Sequence, residues 1–335
     1  MLQILLIIMT VVVLAILIYL ATLEGSYSIR RSQLINADIN VVFDKIRDFK
    51  SWPDWSPWLI HEPETKLNYS DNYNEEGGFY TWEGKRVGAG KLTHIKFNRP
   101  NRIEQKLQFT RPFKSVCDVG FEFSANGGKT EVTWFMQGRM PFLFRFMTAK
   151  TKDMISKDYE LGLAMLNGQC DPKSDHPVLQ FEGETNLEPW VSLCQGFAGD
   201  IKSLEEAMKQ GFPKLMTHIE QHKLEISGAP FAAYHEVDLK NMQFVCDMAI
   251  PVVKTEGLVQ GEYQLKTLGG GRFYKVTVKG SYDFLELAWY SAMAHVQMHK
   301  FKYDNSRASM EVYENDPEQV KTSNDILTTL YIPLK

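Results

Sequence analysis

The first apolar run is unbroken: from Leu2 to Leu23 (LQILLIIMTVVVLAILIYLATL) there is no charged side chain. After it the apolar positions become periodic, and the period changes. YSIRRSQLINAD alternates as a half-buried strand does, and INVVFDKIRDF then places Val42, Phe43, Ile46 and Phe49 at helical spacing. Asn36 and Asp38 suit the N-cap of that helix, and Pro53 and Pro57 in SWPDWSPW close it. Five runs rich in aromatic and β-branched residues follow: GFYTWEG, GAGKLTHIKF, RIEQKLQFT, SVCDVGFEFS and TEVTWFMQG. Turn chemistry separates them, as in NRPN (Asn98 to Asn101) and Asn126-Gly127-Gly128, which predicts an antiparallel sheet. LFRFMTAKTKDMISKDYELGLAMLNG then carries Phe146, Met147, Met154, Leu161 and Met165 toward one side of a long helix. Residues 24–170 therefore read as one curved sheet closed by a long helix.

The stretch CDPKSDHPVLQFEGETNLEP holds three prolines and no sustained period. It marks residues 171–187 as a linker and opens a second domain over 188–335. Within that domain the chain repeats itself. HIEQHK at His218 returns as HVQMHK at His295, 77 residues on, and the flanks return with it. The first copy reads WVSLCQGFAGD, SLEEAMKQGFPKLMTHIEQHK, PFAAYHEVD, FVCDMAIPV. The second reads RFYKVTVKGS, DFLELAWYSAMAHVQMHK, SMEVYEND, ILTTLYIPL. Each is strand, helix, strand, strand. Gly199-Asp200 and Gly280-Ser281 supply capping residues before the helices, and Ile250-Pro251 and Ile332-Pro333 end the last strands. Leu215, Met216 and Ile219 correspond to Ala292, Met293 and Val296 on the helix face. One such unit cannot cover its own sheet, so two should merge about an approximate two-fold axis, both helices on one face and a concave face opposite. The fold class expected is α+β: an apolar helix, a sheet wrapped on a long helix, and a duplicated domain.

Leu2 to Leu23 is long enough to span a bilayer, and its 15 Leu, Ile and Val residues favour insertion by roughly 5 to 9 kcal/mol as an upper bound. A basic leading segment, a shorter apolar run and a small-residue cleavage site would mark a secretory signal, and none is present. No basic side chain precedes the run, whereas Arg30 and Arg31 follow it, so residues 1–23 read as a single-pass anchor with the remaining chain in the cytoplasm. The net charge of -4 and pI near 6.1 leave no electrostatic footprint for nucleic acid. Cys117, Cys170, Cys194 and Cys246 are widely spaced without a CxxC pair and read as structural thiols in a reducing compartment.

The element order of residues 24–170 resembles the START-like, polyketide-cyclase-like (SRPBCC) helix-grip family. The motifs that carry the resemblance are VFDKIRDFKSWPDWSPW, YTWEG with GAGKL, and KDYELGLAML. It implies a sheet gripping its C-terminal helix around an apolar cavity, with a hydrophobic ligand inside. Trp52, Trp55, Trp58 and Trp82 are candidates to line that cavity or, more simply, to form the core. His61 and His94 have no carboxylate or cysteine at a useful spacing and read as structural, so no catalytic constellation is expected here.

His218/His222 and His295/His299 have the i, i+4 spacing of a metal pair. Each pair also sits in the last turn of its helix beside Lys223 or Lys300, where basic groups are favoured by the dangling carbonyls, and that structural reading is preferred over metal. No metal or cofactor is expected. The copies differ more tellingly at one place: aligning Tyr234 with Tyr313 sets Ala232 against Glu311. Alternation along SMEVYE sends Met310 and Val312 to one face and Glu311 and Tyr313 to the other. With the apolar pair packed beneath the helices, the carboxylate would face the concavity, inviting a cationic or hydrogen-bonding ligand; a solvated or ion-paired carboxylate is the plain alternative.

Residues 188–335 resemble the gyrase-inhibitor-like, AraC-type effector-binding domain, through YKVTVKGSYDFLELAWYSAM, MEVYENDP and LTTLYIPLK. The resemblance implies that Glu311 of the E-x-Y strand lies in a central pocket that takes lipophilic cations, with aromatic positions of the second helix at Trp289 and Tyr290. Tyr313, Tyr234 and Tyr274 join them by strand-face reasoning. Many relatives attach this domain to a helix-turn-helix DNA reader; here a membrane helix and a helix-grip segment take that place. The expected function is a membrane-tethered, cytoplasm-facing sensor, sequestering protein or carrier for apolar or amphipathic ligands, cationic ones included. The alternative is a hydrolase of strained electrophiles, with Glu311 as general base beside Tyr313 or Tyr274. No motif marks a protein partner.

Overall fold

The uncharged run folds as helix α1, Leu2–Thr22. The computed structural model describes residues 1–253 and 263–335, and within it Leu20 is the one buried side chain of α1. Among the described residues α1 is the one helix long and apolar enough to cross a membrane, by length and composition. At 21 residues it measures about 30 Å, the thickness of a hydrocarbon core. The chain divides into two compact units, Met1–Ser174 and Asp175–Lys335.

In the first unit, β1 (Ser26–Ile35) leads into α2 (Ile39–Arg47), whose N-cap Asp38 accepts a hydrogen bond from the Asn40 amide. Then come β2 (Lys66–Tyr69), β3 (Phe79–Glu83), β4 (Ala89–Asn98), β5 (Arg102–Arg111), β6 (Ser115–Asn126) and β7 (Lys129–Arg139). They form one antiparallel sheet in the order β1-β7-β6-β5-β4-β3-β2, against which α3 (Thr148–Cys170) packs. This is the helix-grip arrangement. Rings fill the space between sheet and helix: Trp134 stacks on Tyr159 at 4.0 Å, and Trp52 and Trp55 are buried against Trp134 and Phe121. Trp82 lies over Gly90 of the neighbouring strand, where an added Cβ would come within 2.3 Å of the indole. Trp52, Trp55 and Trp134 thus belong to the packed core between sheet and helix. His94 is buried, stacked on Phe49 and bonded to the Arg47 carbonyl; loss of hydration pushes its pKa down to about 4, so it stays neutral.

The long helix is shorter than its pattern. Residues Phe142–Met147 form a tight 3-10 segment, α3 begins at Thr148, and Phe146, Met147 and Met154 are exposed while Leu161 and Met165 are buried.

The second unit shows the repeat directly. Its elements are β8 (Val178–Asp200), α4 (Ile201–His222), β9 (Phe231–Asp238), β10 (Gln243–Pro251), β11 (Tyr263–Lys279), α5 (Leu285–Met298), β12 (Ser309–Tyr313) and β13 (Leu327–Pro333). Strand, helix, strand, strand occurs twice. The sheet does not stay open: the strands close as a barrel in the order β10-β8-β11-β13-β12-β9, and exchanging the repeats maps this ring onto itself. The linker expectation for 171–187 needs correction from Val178 onward, because residues 178–187 pair with 271–279. Their alternation of exposed and half-buried positions is that of a strand, masked in the sequence by Pro177 and Pro189 at either side.

Asp200 and Ser281 cap as expected, accepting from the Ser203 and Asp283 amides. The repeated HxxxHK phrase also finds its purpose. Lys223 and Lys300 adopt left-handed φ of 54° and 61°, and the next amides, Leu224 and Phe301, each reach back 3.0 Å to the Ile219 and Val296 carbonyls. This is a Schellman stop at the end of both helices, with the apolar residue after the lysine folded back onto the helix.

Candidate ligand site of the duplicated domain

The barrel sorts its side chains into two faces. Met310 and Val312 join Cys194, Phe231, Phe273 and Tyr331 in a cluster drawn from all six strands, which is the barrel interior. The helices pack outside, α5 over Val276, Leu330 and Ile332 and α4 over Leu193, Met248 and Ile250. Glu311 and Tyr313 therefore face the helices, and the expected orientation is reversed: the apolar pair lies inside the closed sheet, and the carboxylate lies under the helix layer. The expectation assumed an open sheet with one apolar face; closure makes both faces buried.

Glu311 is 4% exposed. Trp289 of α5 donates its indole N–H to Oε2 at 2.5 Å, and the Tyr313 hydroxyl donates to Oε1 at 2.7 Å. The Tyr234 hydroxyl of β9 makes a third hydrogen bond to the carboxylate. Further rings enclose these donors: Tyr313 meets Phe212 and Tyr282 edge-on, both at 5.5 Å, and Trp289 meets Tyr234 at 6.2 Å. Met208 of α4 places its sulfur 3.6 Å from the Tyr313 hydroxyl. Both helices, the turn before α5 and both central strands thus contribute one side chain or more.

Among the described residues no lysine, arginine or histidine forms an ion pair with Glu311. Loss of hydration raises its pKa above the ordinary carboxylate range, and the three donors pull it part of the way back. The same burial, with the Glu311 charge beside it, holds the Tyr234 and Tyr313 hydroxyls well above their usual range, and Tyr282 rises to about 12. An effective penalty of several kcal/mol for a buried ion stands against about 1.5 to 3 kcal/mol for each hydrogen bond to a charged group. The donors offset part of that penalty, and the balance still favours the protonated carboxyl more than water does.

Residues 196–335 match the family model of the GyrI-like small molecule binding domain. The carboxyl-terminal unit carries a GyrI-like domain. None of the curated proteins matches the chain. Among solved structures, CalU16 from Micromonospora echinospora is 15% identical over 44% of this chain and 78% of its own, with a TM-score of 0.33. EcmrR, solved in complex with DNA, is 16% identical over 58% of this chain and 72% of its own, with a TM-score of 0.39. MLL2253 from Mesorhizobium loti is 9% identical over 44% of this chain and 99% of its own, with a TM-score of 0.35.

The GyrI-like domain brings four of the six expected residues together: Glu311, Trp289, Tyr313 and Tyr234. Tyr274 lies elsewhere, its hydroxyl 2.7 Å from His295 Nε2 and its ring against Phe301, in the core under α5. Burial pushes its hydroxyl up to about 12. Tyr290 is half-buried and, one residue on from Trp289, is turned about 100° around α5 from it. Sequence reasoning missed Tyr282, Phe212 and Met208. Met208 and Phe212 continue the α4 stripe backward at i, i+4 spacing, a signal that was available; Tyr282 follows the cap Ser281 and had no periodic signal. His218 and His222 stack at 4.0 Å, as do His295 and His299, in the helix-ending turns already described. Among the described residues no three His, Cys, Asp or Glu side chains gather as metal ligands would.

Proposed function

We propose that this protein is a membrane-tethered, cytoplasm-facing small-molecule binder whose GyrI-like domain takes an amphipathic cation at Glu311. The observation that carries the reading is a buried carboxylate held by neutral donors, ringed by aromatic side chains and lacking a counter-charge among the described residues. A cation entering beside it would gain the charge pair and cation–π contacts of about 0.5 to 2 kcal/mol with each well-placed ring. Because the rings close over Glu311, entry requires one of Trp289, Tyr282 or Tyr313 to swing aside. Tether and orientation are supported by the length and apolarity of α1 and by Arg30 and Arg31 beyond its end. The net charge of -4 supports leaving nucleic acid out.

The test is a titration of the full chain in nanodiscs with several lipophilic cationic dyes, empty discs serving as control. Glu311→Gln should weaken binding by about 1 to 3 kcal/mol, or roughly 5- to 150-fold. Equal affinity in wild type and variant removes Glu311 from the mechanism. A carboxyl with a raised pKa and a tyrosine hydroxyl at 2.7 Å also suits general acid or base work, so turnover of a cyclopropane-bearing electrophile is measured alongside. Turnover lost in Glu311→Gln would move the assignment to hydrolysis.

A further inference from the structure

The apolar stripe read as core at the start of the long helix is left uncovered, and the topology shows where it lies. Ser26 at the start of β1 pairs with Arg139 at the end of β7; β6 begins beside that end, since Asp118 pairs with Gln137, and Phe109 near the end of β5 pairs with Ser115. The β5–β6 turn, the segment from Arg139 to Met147 and the end of α1 therefore share one end of the sheet. Arg145 ties them together: its guanidinium donates to the Leu20 and Leu23 carbonyls at 3.4 Å and lies 5.0 Å from the Phe142 ring. Phe144 meets Phe113 at 5.1 Å. At this end Phe113 is 61% exposed, Leu143 61% and Phe146 59%, with Met147 at 40% and Phe142 at 39%. Segments 111–116 and 139–152 carry Arg111, Lys114, Arg139, Arg145, Lys150 and Lys152, and no carboxylate.

We infer that this end of the helix-grip domain is a membrane-seating surface. The Phe113 turn and Phe142–Met147 dip into the head-group and acyl boundary of the leaflet in which α1 ends, and the basic side chains around them meet anionic lipid. Two observations commit the surface to lipid. It is continuous with the terminus of the apolar helix through Arg145, and basic side chains outnumber acidic ones around it, six against Glu24, Asp153 and the Glu83 that pairs with Arg111. A protein face would not need to share the end of the anchor. The inference rests on the reading of α1 as a membrane span, and it adds that the domain is held against the bilayer instead of swinging from a linker.

The experiment places a cysteine-reactive, polarity-sensitive fluorophore on the full chain in nanodiscs, at Leu143→Cys, Phe113→Cys, Val12→Cys or Asn126→Cys. Wild type labelled in parallel gives the background of native thiols. Lipids carrying quenchers at shallow or deep positions then report depth. Emission should be lost to the shallow quencher at Leu143 and Phe113 and to the deep one at Val12. It should survive at Asn126, in the β6–β7 turn away from the seating segments. Discs containing phosphatidylserine should give stronger quenching at Leu143 than discs of phosphatidylcholine alone. Quenching at Val12 without quenching at Leu143 overturns the seating surface and leaves the anchor standing; quenching at neither overturns both. Emission at Leu143 that responds to protein density but to neither quencher assigns the surface to a second copy and also overturns it.

Discussion

Glu311 on β12 lies directly across the ladder from Ala232 on β9, and the internal repeat makes each the counterpart of the other. The approximate two-fold axis thus passes through a pair in which one copy carries a carboxylate and the other a methyl group. Two carboxylates here would have Cβ atoms only about 4.5 to 5.5 Å apart and would share a proton. Ala232→Glu should therefore destabilise the domain by about 3 to 5 kcal/mol near neutral pH, the scale of an uncompensated buried charge, with much of the loss recovered in acid. Urea unfolding in detergent at about pH 5 and about pH 8 checks this.

The raised pKa of Glu311 makes a second prediction about stability. Its folded-state value lies above the unfolded one, so the native chain keeps a proton that the unfolded chain has released. This contribution is full below the ordinary carboxylate range and is lost as pH rises through the raised value. Glu311→Gln should flatten that fall and leave the ligand-free variant more stable than wild type near neutral pH, by on the order of 1 kcal/mol. Thermal melts across the acid-to-neutral range measure it, and an unchanged pH dependence would contradict the electrostatic account.

In the helix-grip domain Asp158 offers the same arithmetic. Desolvation raises its carboxyl to about 7, partly opposed by the Trp58 indole N–H at 3.0 Å. The native state again holds the extra proton, so stability is lost as pH rises from the ordinary carboxylate range to about 7. Asp158→Asn keeps an acceptor for Trp58 and should remove this loss, worth up to about 4 kcal/mol above neutrality and little in acid. The melting midpoint of the variant should be nearly flat where that of wild type slopes.

Lys223 and Lys300 hold left-handed backbone where glycine is the usual occupant. The conformation costs a side chain about 1 to 2 kcal/mol, and glycine gives back about 0.5 to 1 through chain entropy. Lys223→Gly and Lys300→Gly should each stabilise by up to about 1 kcal/mol without altering binding. Parallel denaturation and dye titration of the two variants separate the effects.

Much of the architecture was legible in the sequence. Period changes marked β1, α2 and the strands β3 to β7, and the doubled phrase revealed a strand, helix, strand, strand repeat whose capping residues act as expected. Barrel closure was not legible, because it depends on the long-range pairing of β9 with β12 and of β8 with β11, which local periodicity does not encode. That omission reversed the face of Glu311, while Pro177 and Pro189 on either side hid the strand at 178–187. Phe146, Met147 and Met154 misled for a related reason: periodicity reports that a face is apolar, and says nothing of what covers it.

The central claim is that Glu311 exchanges a proton for a cation. Calorimetric titration of the full chain with a lipophilic cation, in two buffers of different ionisation enthalpy, counts the protons released on binding. The account predicts a proton released, up to one per cation, and affinity that rises with pH until the carboxyl is fully ionised, with both effects absent in Glu311→Gln. Equal proton counts and equal pH dependence in wild type and variant would contradict it.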